Sequence, residues 1–428
     1  MDAVADATRS GELDTLVDHL FRRESGRLVA RLLRALGPEH FELAEEAVQE
    51  AMMQALRSWP LAGTPKEPAA WLSRVAKNRA LDVLRRRTSF ENKRPDVVSL
   101  MEARLERLPE PGFSGEIEDD QLRLIFTCCH PTVPGDARIA LTLKTVCGFS
   151  VAEIARAFMA KESTVAQRLT RAKRLIAERG IPYAVPPPQE LHARSSSVLK
   201  VVYLMFNEGY SPGGGEAVIR ADICEEACRL ARVLADHPLT GSGASQALAA
   251  LLLLQGARLP TREGPNGEIL LLEEQDRTRW SAAWLEEGFL RLRAAMETEE
   301  LTPYHLEAGI AACHAAAPTY ADTDWPAILA YYEQLEQIQP SPVTTLNRAI
   351  AVAMVEGPEA GLHLLGPLGA ERELSKYYLL PATEAELLRR SGERDQAAES
   401  LRRALDLATS EPVKRLLEKR LAACIAGD

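Results

Sequence analysis

The stretch from Ser150 to Ile176, SVAEIARAFMAKESTVAQRLTRAKRLI, constrains the fold of this chain more than any other, because two amphipathic helical periods flank a tight break. Ser150 can cap the first helix through its hydroxyl, and Glu153, three residues on, closes a capping box. Val151, Ile154, Ala155 and Phe158 then form one apolar face, and Met159-Ala160-Lys161 makes the connection. In the second helix Val165, Leu169, Ala172 and Ile176 recur at helical spacing toward a core. Its opposite face is polar and cationic, with Glu162, Ser163, Thr164, Gln167, Arg168 and Arg171 in the N-terminal half and Lys173 and Arg174 behind them. The pattern predicts a helix-turn-helix whose second helix enters a DNA major groove, base edges meeting the first half and phosphates the second. The plainer alternative is a helical hairpin with a solvated charged face.

Upstream, residues 10–88 read as a compact helical unit. Leu13, Leu16, Val17 and Leu20 keep a helical period, the Leu28–Leu36 segment repeats it, and Gly37-Pro38 ends it. A helix from Phe41 to Trp59 turns Leu43, Ala47, Ala51, Met52, Ala55 and Leu56 inward and Glu42, Glu45, Glu46 and Glu50 outward, before a loop from Pro60 to Pro68. In AWLSRVAKNRALDVLRRR the buried stripe is Trp71, Leu72, Val75, Ala76, Leu81 and Leu84, and Arg74, Lys77, Asn78, Arg79, Asp82 and Arg85 face out. Residues 89–118 lose this periodicity among prolines and glycines and read as a flexible linker. Helices resume at about Glu118 and run to Arg179, and Gly180-Ile181-Pro182 followed by Pro186-Pro187-Pro188 marks the next boundary.

The formal net charge of −10 disguises a basic front half and an acidic rear, so it does not exclude a nucleic-acid binder. Seven cysteines, without paired C-x-x-C spacing, read as reduced thiols in a cytosolic protein, most of them simply packed in the core. No signal peptide is expected from the N-terminus, and the longest apolar run, Ala247–Leu254, is too short to span a bilayer. A cytoplasmic protein without membrane contact or cofactor is therefore expected. The remaining chain, 190–428, is alanine- and leucine-rich, and its last hundred residues suggest stacked helical hairpins that break at Gly357 and Gly392. Ala397, Leu401 and Ala404 form a small–large–small ridge in one of them.

Taken in order, the acidic helix ending at Trp59, the basic AWLSRVAKNRALDVLRRR helix, the linker and the helix-turn-helix resemble the extracytoplasmic-function RNA polymerase sigma factors of the sigma-70 family. LAEEAVQEAMMQAL is similar to that family's core-binding helix. The extension, which begins with YLMFNEGYSPGGGE, resembles the subgroup carrying a tetratricopeptide-like C-terminal domain. The resemblance implies an all-α chain of two small helical sigma domains, 10–88 and 119–180, joined by a flexible 89–118 linker and followed by a large repeat-like regulatory domain, 190–428. It implies core RNA polymerase and promoter DNA as partners, and no catalysis. Lys77, Asn78, Asp82 and Arg85 would face the −10 element and Arg86 and Arg87 its phosphates, with Trp71 packing in the core. Thr164, Gln167, Arg168 and Arg171 would read the −35 duplex, with Lys161 and Ser163 on the backbone. Glu45, Glu46, Gln49 and Glu50, with apolar contacts from Val48 and Met52, would meet the polymerase.

Within the extension, the glycines of Asn207–Glu216 suggest a phosphate loop, but no Lys-Ser/Thr follows them and two carboxylates would repel phosphate. Asn207, Glu208 and Tyr210 are instead expected to make a regulatory contact with the sigma domains or a partner. Stacked hairpins offer a concave surface suited to a peptide or protein. An enzyme using His305, His314, Asp322 and Asp324 is the rival from another class, but their spacing fits no metal pattern. A second rival is a helix-turn-helix repressor with a ligand-sensing C-terminal domain.

Overall fold

A computed structural model describes residues 24–91, 95–107, 114–158, 160–212 and 217–426. Leu13, Leu16, Val17, Leu20 and Met159 lie outside these residues. Among the described residues the chain is helical and has no strand, only an isolated bridge between Glu263 and Ile269. It divides into two compact units, parted within a single helix between Val201 and Val202.

The first unit begins with α1 (24–36), whose Leu28, Val29, Leu32, Leu33 and Leu36 are buried. Gly37, at φ 89°, stops it in the left-handed region that glycine tolerates. Helix α2 (Phe41–Ala62) continues through Pro60, so the expected Pro60–Pro68 loop starts later, at Gly63. One missing amide within a turn of the helix end is tolerated, where a mid-helix proline would break the ladder. Helix α3 (Pro68–Glu91) packs on α2 and buries Leu72, Ala76, Ala80, Leu81 and Leu84. Trp71 meets Trp59 edge to face, ring centroids 5.6 Å apart, as core packing requires.

The linker expectation for 89–118 needs correcting. Helix α4 (Pro95–Glu106) fills much of it, and α5 (Ser114–Cys128) starts before Glu118. Pro95 is the first described residue of α4, so a proline in this segment does not exclude helix. Leu105, fully buried, anchors α4.

Next come α6 (Gly135–Leu141), a π-turn (Thr142–Val146), α7 (Val151–Ala157), α8 (Glu162–Glu178) and the first half of α9 (Pro188–Tyr210). The capping box at α7 forms as expected: Ser150 Oγ accepts from the Glu153 amide at 3.1 Å, and Glu153 accepts from the Ser150 amide at 2.7 Å. Val165, Leu169, Ala172 and Ile176 are the buried positions of α8.

The second unit stacks α10 (Ala221–Asp236), α11 (Gly243–Gly256), α12 (Ala282–Met296), α13 (Pro303–Ala316) and α14 (Trp325–Ile338). Then follow α15 (Pro342–Glu356), α16 (Pro358–Leu365), α17 (Leu379–Arg390), α18 (Arg394–Leu407) and α19 (Glu411–Ala426). Consecutive helices pair, and α11, apolar all round, is the buried spine. The α15–α16 and α17–α18 hairpins break at Gly357 and Gly392, both at positive φ, and Ala397, Leu401 and Ala404 are buried.

Candidate nucleic-acid interface

Helix α8 presents the surface read from its sequence. Lys161, Ser163, Gln167 and Arg171 are exposed, and Thr164 and Arg168 are partly covered. Arg168 is not idle: its Nε lies 3.4 Å from an Asp136 carboxylate oxygen on α6. The pair is solvent-exposed and therefore weak, so a nucleic acid can displace Asp136 at small cost.

Helix α3 turns Asn78, Asp82, Arg85 and Arg86 outward and leaves Lys77 partly covered, while the side chain of Arg87 is outside those described. Two members of this set already have partners on α4. Arg85 Nε lies 3.2 Å from Glu102, and Lys77 Nζ donates to the Glu106 carbonyl at 3.4 Å. Glu102 and Glu106 thus place negative charge along the edge where α3 would meet a phosphate backbone.

On α2 the outcome is divided. Glu46, Gln49 and Glu50 are exposed and Met52 is partly so, but Glu45 and Val48 are buried. Glu45 faces the helix-turn-helix half of the same unit: it accepts a hydrogen bond from Thr145 Oγ1 at 2.9 Å and forms a close ion pair with Lys173 of α8. Lys144 stands nearby, its ammonium pKa pushed down by burial although Glu45 pulls the other way. Glu45 and Val48 are therefore not available on the outer face in this arrangement, and Leu56, expected inside, is half exposed. The open face of α2 runs through Glu42, Glu46, Gln49, Glu50, Met53 and Leu56. Alternation of acidic and apolar residues at a spacing of three and four was the signal for it. Leu56 reads as inward only on its hydrophobicity, and Met53 extends the open face beyond the residues the sequence singled out.

Further ties join the two halves of the first unit. Gly26 approaches the π-turn so closely that a Cβ there would lie 1.9 Å from the Val146 carbonyl oxygen. Tyr183, downstream of α8, donates to or shares its hydroxyl with the Ala30 carbonyl at 2.7 Å and the Asp120 carbonyl at 2.9 Å. Burial pushes the Tyr183 phenol far above its usual pKa, which keeps the hydroxyl a donor. The Asp120 carboxyl, raised by burial against the pull of Arg34 and Arg123, closes the cluster.

In the second unit Asn207, Glu208 and Tyr210 lie on the last turns of α9, which is a correction to their reading as a loop. Tyr210 stacks on Phe206 at 5.3 Å and carries the Arg262 guanidinium 3.7 Å above its ring. Gly209 is required here, since a Cβ would meet the Arg220 carbonyl and the Cys224 sulfur at 2.9 Å. The glycines Gly213–Gly215 and Glu216 are outside the described residues. His305 caps α13, accepting from the Thr302 amide at 3.1 Å, and Asp324 caps α14. His314 is lowered to about 4 by burial, with Arg258 and Arg277 adding to it. Asp322 accepts from the Thr319 amide at 3.2 Å and hydroxyl at 2.7 Å, His314 packs edge-on against Trp325 at 5.4 Å between ring centroids, and no His/Cys/Asp/Glu cluster suited to a metal occurs among the described residues. The cysteines are all free, and six are buried. Among the described residues no helix is long and apolar enough to cross a membrane.

Residues 20–90 match sigma-70 region 2, and residues 123–176 match sigma-70 region 4. The pair defines the class: the chain belongs to the sigma-70 family, factors that direct RNA polymerase to promoters. Residues 194–296 match a family of unknown function, DUF6596. Along 377 residues, 87% of either chain, the sequence is 41% identical to an uncharacterized protein of Rhizobium meliloti (strain 1021).

Proposed function

We propose that this protein is a two-element sigma factor: α3 reads the −10 region, α8 reads the −35 region, and the open face of α2 meets core polymerase. The observation that supports this over a single-module repressor is the presence of two separate exposed cationic helices, α3 and α8, in one unit. A repressor needs only the second. On α8, Thr164, Gln167, Arg168 and Arg171 take the base edges, and Lys161 and Ser163 the backbone. On α3, Asn78, Asp82, Arg85 and Arg86, with Lys77 and Arg87, hold the melted −10 strand, whose unstacked bases need a cationic surface beside them. On α2, Glu46, Gln49 and Glu50 act with Met53 and Leu56, while Glu45 serves internally.

The packed first unit is a resting form in this reading. Positions −10 and −35 are 25 base pairs apart, or about 85 Å along B-form DNA. A compact body of about 180 residues is only about 40 Å across. Both elements are read together only if α1–α3 part from α5–α8, which breaks the Glu45 contacts with Thr145 and Lys173. Helix α4 must also release Arg85 and Lys77, exchanging Glu102 and Glu106 for phosphates. The helical extension, whose paired helices are tetratricopeptide-like, regulates this opening and presents a surface to a protein or peptide, with Asn207, Glu208 and Tyr210 at a contact that transmits the control.

The test is run-off transcription with purified core polymerase, comparing the full chain with a truncation after Pro187, which keeps Tyr183 in place. Promoter-specific transcripts that need this protein are expected, and the truncation assigns the extension as inhibitor or necessary part. Tight operator binding without polymerase, and no transcript from either form, would sink the reading in favour of a repressor.

A further inference from the structure

The second unit contains a cleft of about 440 Å³ unrelated to the sigma regions. Five separated stretches build it: the 271–273 segment, Tyr320, α15, α17, and Arg420 of α19. Its floor is apolar, made of Leu271, Leu272, Ile350, Met354, Leu379 and Leu387. Its polar edge is unbalanced, with three arginines, Arg389, Arg390 and Arg420, against Glu273 and Glu386.

The arginines are not equivalent. Arg389 binds Glu386 at 2.9 Å, and Arg420 closes on the same carboxylate. Burial raises the Glu386 pKa, but these two guanidiniums outweigh it and hold the group below its ordinary value, so it stays charged. Arg390 has no ion pair among the described residues; its Nη1 rests 2.8 Å from the Met354 sulfur, a weak acceptor. A cation at the mouth of an apolar cleft, facing a thioether where a carboxylate is wanted, lacks its natural partner. The Tyr320 phenol shares this edge and is held protonated, chiefly by burial and then by Glu273, so it is a hydrogen-bond donor.

The 262–276 strap borders the cleft through Leu271, Leu272 and Glu273, and is held by Arg415, which donates to the Gly267 carbonyl at 3.1 Å, and by Ile269 against the buried cluster of α17–α19. The volume suits a ligand of about 10–20 non-hydrogen atoms.

We propose that this cleft binds a small apolar monocarboxylate, its hydrocarbon body on Leu272, Ile350, Met354 and Leu379 and its carboxylate on Arg390 and the Tyr320 hydroxyl. The inference does not depend on the promoter-recognition reading, because it rests on the second unit alone. Such a ligand makes the helical extension a sensor of an amphipathic acid.

Octanoate, octanol and octylamine share one tail and differ in head group, so calorimetric titration of the full chain with each separates head-group recognition from partitioning. Saturable one-to-one binding of octanoate is expected, with octanol and octylamine at least tenfold weaker. Arg390→Gln, an exposed change that leaves the fold intact, should weaken octanoate tenfold or more, and Met354→Trp, which fills the cleft, should abolish binding while circular dichroism stays native. Arg171→Gln, in the other unit, should leave it unchanged. The proposal is overturned by absence of octanoate binding up to millimolar concentration, by equal binding of octanol, or by an unaffected Arg390→Gln variant. It is overturned equally if a leucine-terminated peptide displaces octanoate and binds tighter than every free acid, which would make the site a reader of chain ends.

Discussion

Each unit buries a glutamate against other helices, and the two are handled in opposite ways. Glu45 on α2 receives a lysine and a threonine hydroxyl from a distant part of its unit. Glu307 on α13 receives only phenols: Tyr203 donates to it, Tyr304 stands beside Tyr203 at 5.6 Å between ring centroids, and Tyr332 is close. Burial accordingly drives the Glu307 carboxyl from 4.5 to about 7. A buried carboxylate given a cation can stay charged and act as a tie between elements. One whose hydrogen bond from a phenol does not repay its desolvation is more stable holding its proton. In the proposed function the first arrangement ties surfaces that part on promoter binding, whereas the second sits within one helical stack.

The sharpest way to break this contrast is Lys173→Met. Removing one partner strands Glu45 in the interior, and the loss should be about 3–4 kcal/mol in the denaturation transition of the first unit. Adding Glu45→Gln should recover most of it, because a neutral pair carries no unpaired buried charge, and a double-mutant cycle by urea unfolding reads the coupling directly. If Lys173→Met is silent, the tie between α2 and α8 is not a stabilising one.

Glu307→Gln tests the other side. Since the folded pKa is about 7 and the ordinary value 4.5, the native state binds the proton more tightly than the unfolded chain does. Its contribution is fully present below pH 4.5 and is lost as pH rises through 7. The glutamine variant should therefore match the wild type at pH 4 and exceed it by about 2 kcal/mol at pH 8.5, residual exposure trimming the full value of the shift. Thermal unfolding at several pH values measures this, and a pH-independent difference would refute the assignment.

At the DNA surface, Arg168→Ala should cost about 1–3 kcal/mol at a single promoter position and relax preference there. A reporter series over all four bases at each −35 position checks it, and uniform weakening across sequences would demote Arg168 to a phosphate contact. The smallest effect is expected for Arg174, whose 3.4 Å pair with Glu178 is fully solvated. Arg174→Ala should change stability by no more than about 0.5 kcal/mol and lower the salt slope of promoter binding by about 1.

Much of the site was legible because helical spacing orders residues around an axis. The inward set of α8, Val165, Leu169, Ala172 and Ile176, is buried, and the outward set is accessible except for Lys173, expected beside phosphates but covered by α2 and paired with Glu45. The Ser150–Glu153 box and the breaks at Gly357 and Gly392 were equally plain, since each depends on a few neighbouring residues. Helix α4 is hidden in the sequence because Pro95, Pro109 and Pro111 read as breakers, whereas Pro95 lies within the helical segment. Glu45 was misread for a different reason. It lies between outward-facing Glu42 and Glu46, and nothing local says that Lys173, 128 residues away, covers it.

By itself the sequence determined an all-helical chain, the two sigma regions and their order, the inner and outer faces of α3 and α8, and the hairpins of the extension. These follow from backbone periodicity, capping and turn chemistry, which act over a few residues. Only the tertiary structure decided that Glu45 points inward, that α4 sets Glu102 and Glu106 against Lys77 and Arg85, and that five separate stretches line a cleft beside Arg390. Those outcomes depend on which surfaces meet across long separations in the chain, and a helical period defines the angle of a side chain without naming what it will touch.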